Sequence, residues 1–199
     1  MKIYQEQSPE TLEDAKKCLL AGGVIAIPTE TVYGLLTRWD NEDGREKIYH
    51  LKHRPATKRL QMLAPNLEAA IQAGVQDTPQ IRSLAARFWP GPLTLVVKNA
   101  TQDDSIGIRI PDHPFVRRLL EECGCVCAAT SANRSGTPAA INIQDALAGL
   151  DGEPDMAIDG GVITATGGKA STVISLLADT PMVIRTGVIS LQQIAEALE

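Results

Sequence analysis

The apolar stretches VIAI (24–27) and LTLVV (93–97) are far too short to cross a bilayer, which takes roughly 20 residues. The opening MKIYQEQSPETLED has no apolar segment of the secretory-signal type, so the expected location is the cytoplasm, with no membrane contact. CxxC and paired Cys/His motifs are also missing. The four cysteines are Cys18, Cys123, Cys125 and Cys127, the last three alternating in CGCVC. On a strand these three would share one face, where neighbours neither cross-link in the usual way nor surround a metal. Buried free thiols are the expectation, metal or redox chemistry the alternative, and no metal ligands are assigned. Positive charge is in deficit: the net charge of −5 argues against a protein that coats nucleic acid by charge alone. There is no GxxxxGK[ST] phosphate loop, no GxGxxG after a strand, and no nucleophile motif beside His50, His53 or His113.

What is present is a chain of 199 residues, enough for one domain whose core needs no covalent staples. Between Arg45 and Arg59 stand six basic residues (Arg45, Lys47, Lys52, Arg54, Lys58, Arg59) against one acid, Glu46. Such a concentration marks either an anionic ligand or a solvated basic face. Ser8-Pro9-Glu10 reads as a helix start, with Leu12, Ala15 and Leu19 at helical spacing and Gly22-Gly23 as the stop. VIAI, LQML (60–63), LTLVV, the alternating IGIRI (106–110), VCAAT (126–130), STVISL (171–176) and MVIR (182–185) read as strands. Helices are expected over 43–51, 67–71, 78–88, 113–123 and from Ser190. The fold class is α/β: one domain over 1–199, a mixed twisted sheet with flanking helices.

Strand ends repeatedly deliver hydroxyls, an amide or a cation. Thr29 and Thr31 follow VIAI in PTETVYGL, Lys52 and Arg54 lie in LKHRP, and Thr94 follows PGP. Arg109 sits in IGIRIP on the face opposite the isoleucines, Ser131 and Asn133 in ATSAN, Ser171 and Thr172 in STVI, and Arg185 in VIRTG. Taken singly each is a turn or a cap; together they suit a cleft for an anionic, multi-oxygen ligand, since arginine offers a planar fork to phosphate or carboxylate. Phosphoryl and adenylyl transfer run mainly on positioning and charge stabilisation, so the missing nucleophile does not exclude catalysis.

PTETVYGL, KHRP, FWPGPLTLVV, IGIRIPDHP, TSANRSG, STVI and IRTG occur in that order from residue 28 to 187. As an ordered set they resemble the YrdC-like domain of threonylcarbamoyl-AMP synthases, in the short form. The resemblance implies a twisted α/β sheet around a basic cleft. It also implies an ATP-binding nucleotidyltransferase that makes L-threonylcarbamoyladenylate and pyrophosphate from L-threonine, bicarbonate or CO2, and ATP with Mg2+. The product would pass to proteins that transfer the threonylcarbamoyl group to tRNA. Carried over by motif, Lys52 and Arg54 would be catalytic, and Thr31, Arg109, Ala129 and Ser171 would hold threonine. Arg54, Lys58, Ser105, Ser131, Asn133, Ala139 and Arg185 would hold ATP. This chain has Lys58-Arg59 where many relatives carry Asn-Pro, and Leu63 where they carry a threonine-contacting histidine. The rival readings are a YrdC-like module that binds RNA through the basic cleft in rRNA or tRNA maturation, a carbamoyl-transfer domain of the hydrogenase-maturation type, and a paralogue without synthase activity.

Overall fold

The computed structural model describes residues 1–198. Ten strands form one mixed sheet: β1 (Ile3–Gln5), β2 (Ile25–Ile27), β3 (Gly34–Arg38), β4 (Gln61–Leu63), β5 (Leu93–Lys98), β6 (Ser105–Arg109), β7 (Cys127–Ser131), β8 (Met156–Asp159), β9 (Thr172–Ser175) and β10 (Met182–Arg185). Their order across the sheet is β1-β8-β2-β3-β7-β4-β6-β5-β9-β10. Four pairs are parallel (β1/β8, β2/β8, β4/β6, β5/β9) and the others antiparallel, as in a mixed α/β architecture. Seven helices flank it: α1 (Thr11–Leu20), α2 (Glu42–Leu51), α3 (Leu67–Gln72), α4 (Pro79–Phe88), α5 (Pro114–Cys123), α6 (Ile143–Ala148) and α7 (Leu191–Glu196).

The α/β class, the mixed sheet and the flanking helices agree with the reading of the sequence, and every strand and helix expected there exists to within a few residues. The start of α1 differs. Ser8-Pro9-Glu10 forms a turn, and the helix opens at Thr11, whose hydroxyl donates to the Gln5 carbonyl. The four cysteines are free thiols as expected, Cys127 buried and the others partly so, but CGCVC is not one strand. Cys123 ends α5, Gly124 takes a left-handed conformation (φ 60°) that a residue with a Cβ resists, and Cys127 alone lies in β7. Four elements had no clear sequence signal: β1, β3, α6 and β8. β3 is GLLTR, buried along most of its length, so its side chains do not alternate between apolar and polar.

The period-2 geometry of the strands divides the sheet into a packed side and a cleft side. In β6, Ile106 and Ile108 enter the core with Leu93, Leu95 and Val97. Ser105, Gly107 and Arg109, one residue out of phase, face the opposite way and line the cleft. Strand pairing places Val96, Gly107, Gln61 and Ala129 in one row across β5, β6, β4 and β7. Gly107 is the middle of this floor, and its missing side chain leaves open volume above the sheet.

Candidate active-site cleft

The cleft has a volume of about 670 Å³ and opens over β4, β5, β6, β7, β9 and β10. Ten of the twelve residues expected at the site line it: Thr31, Arg54, Ser105, Arg109, Ala129, Ser131, Asn133, Ala139, Ser171 and Arg185. They are spread over 155 positions of chain, and the sheet order alone brings them together. Arg59, Gln61, Thr137 and Gly168 also line it and were not anticipated. Arg59 had no signal beyond membership of the basic cluster.

Lys52 and Lys58 stand apart from the lining. Lys52 is 1% exposed. Its ammonium donates to the carbonyls of Ser131 and Asn133 and lies 3.3 Å from the Asn133 side-chain oxygen. Desolvation, and then the Arg54 charge, push its pKa down to about 7. Lys52 therefore ties the C-terminal end of α2 to the turn after β7 instead of presenting its charge to the cleft. The Lys58 side chain is exposed, while its carbonyl accepts from Arg54 Nε at 2.7 Å and the Arg59 carbonyl accepts from Arg54 Nη2 at 2.8 Å. Lys58 is expected at the phosphates but is not among the residues lining the cleft; its backbone carbonyl orients Arg54. Leu63 is buried in the core. The basic cluster also divides, because Lys47 pairs with Asp155 outside the cleft and Arg54 and Arg59 alone reach it.

PTETVYGL folds back on itself. The Thr29 hydroxyl donates to the Val32 carbonyl at 2.7 Å and lies 3.0 Å from the Thr31 hydroxyl, so Thr29 builds the turn that carries Thr31 to the wall. The Thr166 hydroxyl donates to the Thr31 carbonyl and holds the 164–168 turn over this corner. Across the sheet, Arg185 donates through Nε and Nη2 to the Ser171 carbonyl at 3.1 and 2.9 Å. Ser171 Oγ lies 2.8 Å from Thr94 Oγ1, which donates to Gln61. One hydrogen-bonded line thus runs from β10 to β4 along the floor.

Arg109, 4% exposed, is paired with Glu30, Nη2 to Oε1 at 2.6 Å. The pair is poorly aligned: Arg109 Nε and Nη2 and both Glu30 oxygens are buried without a hydrogen bond of good geometry. Arg109 thus lines the cleft as one member of an imperfectly satisfied ion pair. Burial lowers the pKa of Arg54 and of Arg185, the latter also through the Arg109 charge. Both strains are relieved by an anion.

Among the described residues the lining has four arginines (Arg54, Arg59, Arg109, Arg185) and no aspartate or glutamate. No group of three metal-ligating side chains occurs among them. A magnesium ion finds no carboxylate ligand here, and it fits this cleft as part of a phosphate-bearing ligand.

Four guanidinium groups and a set of hydroxyls on one face of a twisted α/β sheet define a receptor for a multi-oxygen anion. The chain belongs to the Sua5/YciO/YrdC family, described as telomere recombination, whose model matches residues 17–187. It is 35% identical over 193 residues to the threonylcarbamoyl-AMP synthase of Bacillus subtilis, a match covering 92% of this chain and 55% of that one. It is 32% identical to the putative threonylcarbamoyl-AMP synthase of Methanocaldococcus jannaschii, with 98% of this chain and 96% of that one covered. The structure resembles that of P. abyssi Sua5 complexed with L-threonine, with a TM-score of 0.88 and 31% identity over 98% of this chain and 60% of that one. The chain thus spans little more than half the length of the B. subtilis relative. No helix among the described residues is long and apolar enough to cross a membrane.

Proposed function

We propose that this protein is a threonylcarbamoyl-AMP synthase, a nucleotidyltransferase that condenses L-threonine, CO2 or bicarbonate, and ATP, supplied with Mg2+ as MgATP, into L-threonylcarbamoyladenylate and pyrophosphate. One observation carries the reading: Arg109 and Thr31, with Arg54, Arg59 and Arg185, line a single volume, in which Arg109 is paired with Glu30, Arg59 with Asp104, and Arg54 and Arg185 with backbone carbonyls only. Arg109 takes the threonine carboxylate, and the Thr31 and Ser171 hydroxyls meet the rest of the amino acid. The threonine amine, once deprotonated, adds to CO2 to give a carbamate. Its oxygen then attacks the α-phosphorus of ATP, the bond to the β-phosphate oxygen breaks, and pyrophosphate leaves. A carbamate is short-lived in water, so a walled cleft prolongs it. Arg54, Arg59 and Arg185 offset the negative charge that grows on the phosphates. Lys52 holds the turn bearing Ser131 and Asn133 in register with them. The product passes to proteins that act on tRNA, in the cytoplasm.

The test follows pyrophosphate in ATP, magnesium and bicarbonate, with and without L-threonine. Release that requires both threonine and bicarbonate supports the synthase. Release indifferent to threonine would sink it, and binding of structured RNA that weakens steeply with salt, without pyrophosphate release, would favour the RNA-binding module.

A further inference from the structure

The four arginines of the cleft differ in what balances their charge. Arg54 and Arg185 are held by backbone carbonyls, and Arg59 pairs with the exposed Asp104. Of the four, only Arg109 is paired with a carboxylate whose two oxygens are buried, that of Glu30. Among the described residues six buried side-chain nitrogen and oxygen atoms lack a hydrogen bond; four belong to this pair and a fifth is His113 Nδ1. The two groups approach to 2.6 Å without good alignment, so Glu30 acts on Arg109 as a charge more than as a hydrogen-bond acceptor. His113, at the start of α5, is held below its ordinary pKa chiefly by burial, and its imidazole adds no positive charge at neutral pH. The Glu6 carboxylate stands 3.7 Å from its Nε2.

The turn itself places Glu30. The Thr29 hydroxyl accepts from the Thr31 and Val32 amides at 3.2 and 3.3 Å, which fixes the backbone just after Glu30. Thr31 reaches the cleft, and Glu30 does not line it. No partition divides the Arg109 end of the cleft from Arg185. Ser171 Oγ lies 3.1 Å from Arg185 Nη2, and burial, then the Arg109 charge, lowers the Arg185 pKa, so the two guanidinium groups are near enough to repel. A polyphosphate would be drawn to all of these cations alike unless one were already neutralised.

We propose that Glu30 determines specificity at this end of the cleft: by neutralising Arg109 it keeps the triphosphate of ATP off the amino-acid site. On the synthase reading above, on which this depends, Arg109 meets the threonine carboxylate. An L-threonine zwitterion has no net charge, and its ammonium offsets the repulsion between its carboxylate and Glu30. A triphosphate meets Glu30 with several like charges and nothing to offset them. Repulsion of the wrong ligand does the selecting. Glu30 acts through Arg109 and is a positioning residue.

The experiment measures L-threonine binding by calorimetry, without ATP, in the absence and presence of saturating inorganic tripolyphosphate. Wild type should keep its L-threonine Kd within about twofold, because the polyphosphate stays on Arg54, Arg59 and Arg185. Glu30→Gln keeps the shape and removes the charge, and tripolyphosphate should weaken its apparent L-threonine affinity at least about tenfold. A merely structural lesion would weaken threonine equally with and without tripolyphosphate. Glu30→Asp retains the charge and should resist tripolyphosphate as wild type does. Circular dichroism checks the folding of each variant. A Glu30→Gln variant whose threonine affinity is indifferent to tripolyphosphate would overturn the proposal. So would a wild type that loses threonine to it, an outcome that needs no variant to fold. Wild type that binds no L-threonine at all would sink the synthase reading itself, and this inference with it.

Discussion

The Lys52 ammonium stands 2.5 Å from the Asn133 carbonyl oxygen and 3.3 Å from that residue's side-chain oxygen, and it donates as well to the Ser131 carbonyl. A lysine from the end of a helix thus supplies the donors that a turn 79–81 residues away would otherwise lack. The backbone closes the same connection in reverse, since Ser135 N–H donates to the Lys52 carbonyl.

Lys52→Met keeps the volume and removes the donor. Two buried carbonyls then lose their partner, at about 1–3 kcal/mol for such a group. Urea unfolding should show that loss, and turnover should fall with it because Ser131 and Asn133 line the cleft. A variant of full stability that is nevertheless inactive would mean that Lys52 acts on substrate directly.

The same lysine gives the protein a pH dependence whose sign is fixed. Its folded pKa, about 7, lies below the ordinary lysine value of 10.5, because burial and Arg54 oppose the charge. Between those values the unfolded chain binds the proton and the folded chain does not, so this residue's contribution to stability grows as pH rises through that window and is lost as pH falls through 7. Urea midpoints of wild type relative to Lys52→Met should therefore rise from pH 6.5 to 9.5. A difference that shrinks over that interval would show that the carbonyl acceptors retain the proton against burial.

Arg54 tests the electrostatics alone. Its guanidinium is held by two backbone carbonyls on the 58–59 segment and lines the cleft. Arg54→Ala should lower turnover by roughly 10²–10³, the scale for losing one preorganised donor to transition-state charge. Steady-state pyrophosphate release on a variant with a wild-type circular dichroism spectrum measures it. Turnover within twofold of wild type would remove Arg54 from the mechanism.

The sequence displays whatever lies in one strand or one turn. The alternation in IGIRI put Arg109 on the face opposite the isoleucines, and the structure agrees. The ordered motifs gave ten of the cleft residues because most of these lie in or beside strands, although Arg54 follows α2 and Ala139 lies in the loop before α6. What stayed hidden depends on pairs far apart in the chain. Lys52 reads as a cation of the cleft until the turn at 131–133 is folded over it. Glu30 reads as a turn residue until β6 sets Arg109 beside it. GLLTR has no alternating pattern because neighbours in the sheet and helices on its faces bury nearly all of it.

Gly187 supplies the remaining prediction. A Cβ there would lie well inside van der Waals contact of the Ala170 carbonyl oxygen, the Thr172 nitrogen and the Ser171 carbonyl carbon. All three are backbone atoms and none can swing aside, so the chain that carries Ser171, and Arg185 hydrogen-bonded to it, must move. Gly187→Ala should cost about 1–3 kcal/mol, as overpacking does, visible as a lower urea midpoint. It should also raise the KM for both L-threonine and ATP, because Ser171 and Arg185 shift together. An unchanged midpoint would show that the 185–187 segment yields freely, and the rigid floor running from Arg185 through Ser171 and Thr94 to Gln61 would then have to be given up.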